Sequence, residues 1–175
     1  TFEEPVTVAE SEGYVTSGFL PPLPPFGAAL LMHLPDKPWI AAAPDGTLML
    51  AWADLYAAHP EEPTGWRTDV RYVLSADGAR SWGESRIAAS GPSLSGPSPV
   101  MTRDLWAIAY QDFDAQMARV AVSRDAGVTW NDFPVGPNTW MPSLAASPDG
   151  ARLYAVNAHP SPDEASQAPS LAWSD

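Results

Sequence analysis

Two histidines stand in matching contexts, each followed by proline: Ala58-His59-Pro60 beside Glu61 and Glu62, and Ala158-His159-Pro160 ahead of Asp163 and Glu164. Imidazole and carboxylate in one loop is the ligand mixture of a divalent metal site. The His-x-His or His-Glu-x-x-His spacing that puts two ligands on one face is missing, however, so solvent-facing loop histidines are the plainer reading. Asp112 and Asp114, in Gln111-Asp112-Phe113-Asp114, offer hard oxygen ligands of the kind calcium takes, or simply a polar loop tip. No metal site and no cofactor are expected. A Gly-x-Ser-x-Gly elbow, a phosphate-binding glycine loop and a dinucleotide fingerprint are all missing, which leaves serine hydrolases and nucleotide-dependent enzymes without support. Trp66 and Trp140 lie in loop-like sequence ahead of strands and are the aromatic candidates for an exposed sugar-stacking or partner-binding surface. Packing over the protein's own edge is the alternative.

The residues that repeat are of another kind. Residues 123–130 read Ser-Arg-Asp-Ala-Gly-Val-Thr-Trp, a full match to S-x-D-x-G-x-T-W, and residues 75–82 read Ser-Ala-Asp-Gly-Ala-Arg-Ser-Trp, a degraded copy. In this octapeptide, the box, Asp125 can accept hydrogen bonds from the backbone of its own tight turn. Gly127 permits a left-handed conformation, Ser123 and Thr129 satisfy further backbone groups, and Trp130 brings a large apolar surface to the next strand. In the copy, with Ser75, Asp77 and Trp82, Ala79 takes the glycine position, so the turn is expected to be looser or to give the special φ to Gly78. These are structural staples, and neither Asp77 nor Asp125 is a candidate catalyst. Ala172-Trp173-Ser174-Asp175 looks like the head of a third copy, and Thr1-Phe2 like the tail of one.

An apolar strand-turn-strand pattern precedes each box: Pro38 to Trp52, Pro97 to Tyr110 and Pro142 to Asn157. Pro44-Asp45-Gly46 and Pro148-Asp149-Gly150 are credible hairpin tips, whereas Thr102-Arg103-Asp104 is weaker. Third strands are expected over Val70 to Leu74, Arg119 to Val122 and Ser170 to Trp173. Fourth strands are expected from Trp82 to Ile87 and from Trp130 to Val135. Four short strands per repeat define the blade of a β-propeller. The expected organisation is therefore all-β. Residues 1–10 are an isolated outer strand, 11–36 a Pro-rich connector or docking arm, and 37–175 three blades, the last truncated. Phe19, Leu23 and Phe26 of the arm would offer a partner surface. Propellers typically have about 4 to 8 blades, so the ring is incomplete and the remaining blades would come from sequence outside this stretch or from another chain.

Composition agrees. The 20 prolines and 12 glycines punctuate many short strands, and 45% hydrophobic residues with 8 tryptophans suffice for a core. A formal charge of −12 opposes nucleic acid and anionic membrane surfaces. Without cysteine there are no disulfides or thiolate metal sites. Gly18 to Leu34 is apolar but broken by Pro21, Pro22, Pro24 and Pro25, so it reads as neither a membrane helix nor an export signal; a targeting segment, if the protein is exported, lies outside this sequence.

These repeats resemble the Asp-box (BNR) propeller family, which includes the sialidases. The segment Asp36 to Glu84 resembles a sialidase's first blade, keeping Pro38, the run Pro44-Asp45-Gly46-Thr47-Leu48, Asp54, Asp69 and the box. It places Asp36 and Lys37 where that family has Arg and Ile. Sialidases hold the substrate carboxylate with arginines, whose planar fork gives paired hydrogen bonds. Aspartate there would repel it, and Lys37 is a point charge one residue out of phase. The resemblance puts the acid/base carboxylate near Glu61, Glu62 or Asp69, with a solvated acidic loop as the alternative, and calls for a tyrosine nucleophile assisted by glutamate. It implies an extracytoplasmic protein. The expected function is a non-catalytic propeller segment that binds or scaffolds a protein partner or the remaining blades. The alternatives are the N-terminal part of an exo-sialidase or related glycosidase, and a carbohydrate-binding propeller that takes a glycan without turnover.

Overall fold

A computed structural model of the chain describes residues 5–9, 33–57, 66–137, 140–160 and 167–174. Among them every regular element is a strand: β1 (His33–Ala42), β2 (Leu48–Ala57), β3 (Trp66–Ser75), β4 (Arg86–Gly91), β5 (Leu94–Met101), β6 (Trp106–Asp112), β7 (Met117–Ser123), β8 (Asn131–Pro137), β9 (Trp140–Ala146), β10 (Leu153–Pro160) and β11 (Gln167–Ser174). They form three antiparallel sheets, β1-β2-β3-β4, β5-β6-β7-β8 and β9-β10-β11, each built as a meander of neighbours in sequence. The architecture is a partial β-propeller of three blades.

The strands form where small and β-branched residues alternate with polar ones, and the turns form where the backbone has local acceptors. Thr47 N–H donates to Asp45 Oδ1 at 2.9 Å, and Gly46, at φ 90°, donates to Ala43 O. Ser147-Pro148-Asp149-Gly150 closes the same way, with Gly150 N–H on Ser147 O and Ala151 N–H on Asp149 Oδ1. The middle tip, expected to be weaker, is no looser. Thr102 N–H and the Thr102 hydroxyl both donate to Leu105 O, and Leu105 N–H returns to Thr102 Oγ1, so the buried threonine supplies what Asp-Gly supplies elsewhere.

Several boundaries differ from expectation. β1 begins at His33, inside the stretch assigned to the connector, because the whole of β2 is available to pair with it: His33 faces Tyr56 and Leu34 faces Leu55. A bulge between Asp36 and Trp39, with Lys37 at φ 51°, then restores the register. β3 starts at Trp66 rather than Val70 for the same reason, since Tyr56 pairs with Arg67 and Ala57 with Trp66. β4 starts at Arg86, four residues after the box tryptophan, whereas β8 follows Trp130 directly. Residues 5–9 carry no strand, so the outer strand expected over residues 1–10 is not found there; residues 11–32 of the arm lie outside the described residues.

Because side chains alternate along a strand, each sheet has two packing faces. Met49, Ala51, Val70 and Tyr72 of the first blade meet Ile108, Tyr110, Ala121 and Met101 of the second in one core. On the second blade's other face, Ala107, Ala109 and Val120 pack with Leu144 and Leu153 of the third. Two close contacts join the second and third blades: Leu144 N–H donates to Ser98 Oγ at 3.0 Å, and Gly96, at φ 61°, lies so near Met141 that a Cβ would stand 2.3 Å from its Cγ. Only glycine fits there.

Candidate functional site

The two box turns are superposable in their bonding. Ser75 Oγ and Ser123 Oγ each donate to the box aspartate Oδ1 at 2.8 Å and accept the backbone N–H of Ala79 (2.9 Å) or Gly127 (2.8 Å). The N–H of Ser81 or Thr129 donates to Oδ1 at 2.9 Å and its hydroxyl to Oδ2 at 2.6 Å. The first copy is therefore not looser; of the two expectations, the one met is that Gly78 takes a positive φ, and Ala79 takes one beside it. Both turns need two consecutive left-handed residues, Gly78 and Ala79 (φ 74° and 70°) or Ala126 and Gly127 (φ 56° and 81°), and each has one glycine and one alanine to share them. The hydroxyl and backbone donors hold the Asp77 and Asp125 carboxyls down at about 2, chiefly through Ser81 and Thr129. Carboxylates this satisfied are staples and not acids.

The second box also docks on the first blade. Tyr72, wholly buried, donates its hydroxyl to Gly127 O at 2.8 Å, and its ring meets Trp130 edge-on at 5.3 Å and 68°. Trp130 Nε1 points to the same hydroxyl at 3.4 Å. Sequence reasoning missed Tyr72, whose partner lies a full repeat away.

At the end of the first blade opposite its box, cross-strand pairing gathers charge. Asp54 faces Asp69, and Tyr56 faces Arg67. Arg71, two residues along β3 on the same face, sits between the carboxylates. Its Nη2 donates to Asp69 Oδ2 at 3.0 Å, and its Nε lies 2.9 Å from Asp54 Oδ2, an ion pair whose N–H is not aimed at the oxygen. Asp69, 2% exposed, also accepts from the Ser90 hydroxyl at 2.6 Å and the Tyr56 hydroxyl at 3.4 Å, with Arg67 Nε at 4.0 Å. Burial, and then the Asp69 charge, raise the Tyr56 phenol above its ordinary value. Asp54, expected just after a strand, lies within β2, which runs on to Ala57.

The second blade shows what this arginine does otherwise. Arg119 is the register equivalent of Arg71, since both lie four residues before the box serine, and it pairs with Asp132 on β8. Tyr110 completes that triad by donating to Asp132 at 2.7 Å. Burial and this hydrogen bond push the Tyr110 phenol well up, and Asp132 raises Arg119. In the first blade the pairing of β3 with the strand after its box runs Arg71–Ile87 and Tyr72–Arg86, where the second has Arg119–Pro134 and Val120–Phe133, so Ser85 comes to the place of Asp132; it lies 3.5 Å from Arg71 Nη1, and Arg71 turns instead to Asp54 and Asp69.

Of the other expected site residues, Lys37 pairs with its neighbour Asp36, so it does not stand free to replace an arginine. Asp112 accepts from Ala115 N–H at 3.0 Å within a turn, and Asp114 is exposed on it. Among the described residues no three His, Asp or Glu converge as a metal site, and no helix is long and apolar enough to cross a membrane. Trp66 and Trp140 head β3 and β9, but their side chains are outside the described residues, as are His59, Glu61, Glu62, Asp163, Glu164, Phe19, Leu23, Phe26 and the His159 side chain.

The chain is similar to the solved structure titled "Hadza microbial sialidase Hz136", with a TM-score of 0.54 and 19% sequence identity, covering 82% of this chain and 33% of that one. It thus spans about a third of the length of the sialidase it matches, and the likeness is one of fold. No protein-family model matches the sequence, and no curated protein does. The chain has a sialidase-like propeller fold.

Proposed function

We propose that this chain is a sialidase-like segment of the Asp-box type that works by binding, as a scaffolding part of a larger extracytoplasmic assembly, and not by turnover. One observation carries this reading: the acid/base candidate Asp69 and the arginine nearest to it at the end of the first blade are occupied with one another. Arg71 is held between Asp54 and Asp69, and Asp69 is enclosed by Arg71, Ser90 and Tyr56. A guanidinium that is to clamp a substrate carboxylate must present its fork, and a general acid must reach the glycosidic oxygen. The extracytoplasmic placement follows from the family resemblance.

A second reading, the N-terminal part of an exo-sialidase or related glycosidase, is favoured by Arg67, whose side chain is half exposed beside the same carboxylates, and by the sialidase neighbour. Under a third reading Trp66 and Trp140 stack on a glycan without turnover. The test is release of a fluorescent group from a sialoside by the folded protein. Binding alone predicts no release. Release lost on Arg67→Ala and Asp69→Asn would replace this reading with the second. Glycan-array binding lost on Trp66→Ala or Trp140→Ala, without turnover, would replace it with the third.

A further inference from the structure

At the box end of the first two blades three turns wall a polar cleft: the β1–β2 tip with Pro44 and Asp45, the β5–β6 tip from Thr102 to Leu105, and the start of the second box. It holds about 530 Å³, within the roughly 300–1,000 Å³ of a small-ligand site. Each wall is already fixed by its own bonds, Asp45 to Thr47, Thr102 to Leu105, and the box to Tyr72 through Gly127, so a ligand would meet groups that need little further ordering. Arg103 and Arg124 line this cleft, and neither has a hydrogen bond or ion pair among the described residues. By contrast Arg71 and Arg119 are bound to carboxylates, and Arg80 donates to Asp77 O at 3.3 Å. Asp104, also on the wall, is equally without a partner. Asp45 gives Oδ1 to Thr47, and Asp125 has given both oxygens to Ser123 and Thr129. Half-buried Trp106 and Leu105 add an apolar strip.

We infer that this cleft binds an uncharged sugar residue of a glycan. Two free donor groups and a free carboxylate share one cavity without closing on each other. A ligand that both donates and accepts fills all three, and a pyranose does so through neighbouring hydroxyls, each a donor and an acceptor. Arg103 and Arg124 give to its oxygens, Asp104 takes from its hydroxyls, and its C–H face lies on Trp106 and Leu105. Charge selects against the other candidates. An anion would enter a cleft where three carboxylates outnumber two guanidiniums, on a chain of formal charge −12. A cation would meet both guanidiniums, and among the described residues no three His, Asp or Glu converge to hold a metal. The site shares no residue with the Asp54, Asp69 and Arg71 cluster, which lies at the other end of the first blade, where Trp66 also heads β3. It therefore goes beyond the binding role proposed from that cluster and does not depend on it.

A glycan array probed with the whole chain should retain uncharged glucan, mannan or galactan fragments in preference to sialylated, uronic or sulfated glycans. Salt at about 0.5 M, which screens charge attraction, should leave that retention in place. Titration of the best-retained fragment, read from the Trp106 indole signal by NMR, then gives a Kd. Arg103→Ala, Arg124→Ala and Asp104→Ala should each weaken it roughly tenfold or more, as loss of a charged hydrogen bond does. These side chains are exposed, so Tm should stay at the wild-type value, and Asp104→Asn, which keeps an acceptor, should recover most of the affinity. No uncharged fragment bound at about 1 mM, the weak end of specific recognition, would overturn the inference. So would a preference for acidic glycans that salt abolishes, which would make the arginines an oxyanion site. Binding indifferent to all three alanine variants but lost on Trp66→Ala or Trp140→Ala would overturn it as well, and would assign the glycan elsewhere. None of these results touches capture of a protein partner, on which the binding role is judged.

Discussion

Replacing Tyr72 by Phe isolates one atom that joins two blades. The ring remains, so its edge-on contact with Trp130 remains; the hydroxyl that donates to Gly127 O at 2.8 Å is lost. Gly127 is buried, so its carbonyl is left without that partner, and an orphaned buried acceptor costs about 1–3 kcal/mol. The Trp130 Nε1 contact, at 3.4 Å and only partly buried, contributes little beyond this. For a chain of this length, about 1 kcal/mol moves Tm by about 2–4 °C, so Tyr72→Phe should melt several degrees early. Tyr72→Ala, which also empties the ring's volume, should lose about 3–5 kcal/mol. Gly127→Ala attacks the same bond from the other side. Its Cβ would lie 2.6 Å from the tyrosine oxygen at φ 81°, a conformation that itself costs a non-glycine residue about 1–2 kcal/mol. Because Tyr72→Phe removes the atom that Cβ strikes, the double variant should cost clearly less than the sum of the two. Equilibrium urea unfolding followed by tryptophan fluorescence measures all four variants. If Tyr72→Phe lies within about 0.5 kcal/mol of wild type, or if the double variant is additive, the hydroxyl is not the latch described here.

Ala79→Gly relieves a left-handed alanine in the first box and should raise stability by up to about 1 kcal/mol, read as a higher urea midpoint. Arg71→Met leaves Asp54 and Asp69 facing each other and should cost about 2 kcal/mol, below the roughly 3–5 kcal/mol of a fully buried pair because Arg71 is 25% exposed and solvent screens it. Adding Asp54→Asn and Asp69→Asn should recover most of that loss, and an unchanged midpoint in the single variant would contradict the ion-pair reading. Asp77 and Asp125 titrate near 2 when folded, against 3.8 ordinarily, so their contribution is fully present above about pH 4 and lost as pH falls toward 2. Carboxyl carbon shifts followed by NMR from pH 5 to 1.5 check this, and midpoints near 4 would show that the box hydrogen bonds do not form in solution.

How much of this was legible in the sequence depends on the distance over which each feature is encoded. The hairpin tips at Asp45-Gly46 and Asp149-Gly150, and both boxes, are local patterns, and they fixed three repeats, their strands and the propeller. The start of β1 at His33 was hidden because Leu34-Pro35-Asp36 has no strand-like alternation and is extended only because β2 offers Asp54 to Tyr56 as partners. The Asp54, Asp69, Arg71 and Tyr56 cluster depends on a cross-strand register that no single segment displays: aligning the repeats on their box serines matches Arg71 with Arg119 but sets Glu84 against Asp132, and only the pairing of β3 with β4 brings Ser85 to that place. Tyr72 is the extreme case. It reads as an ordinary strand aromatic until Gly127, one repeat later, is placed against it.

The order of glycine and alanine in the two boxes bears on how such turns change over time. Asp77-Gly78-Ala79 and Asp125-Ala126-Gly127 carry the same pair of left-handed residues and the same hydrogen bonds, with glycine on opposite sides of the pair. A lineage can therefore move its glycine by one place through an intermediate with two glycines, which closes this turn equally well. A motif written with glycine fixed at one place passes over copies such as residues 75–82, whose serine, aspartate and second hydroxyl close the same turn.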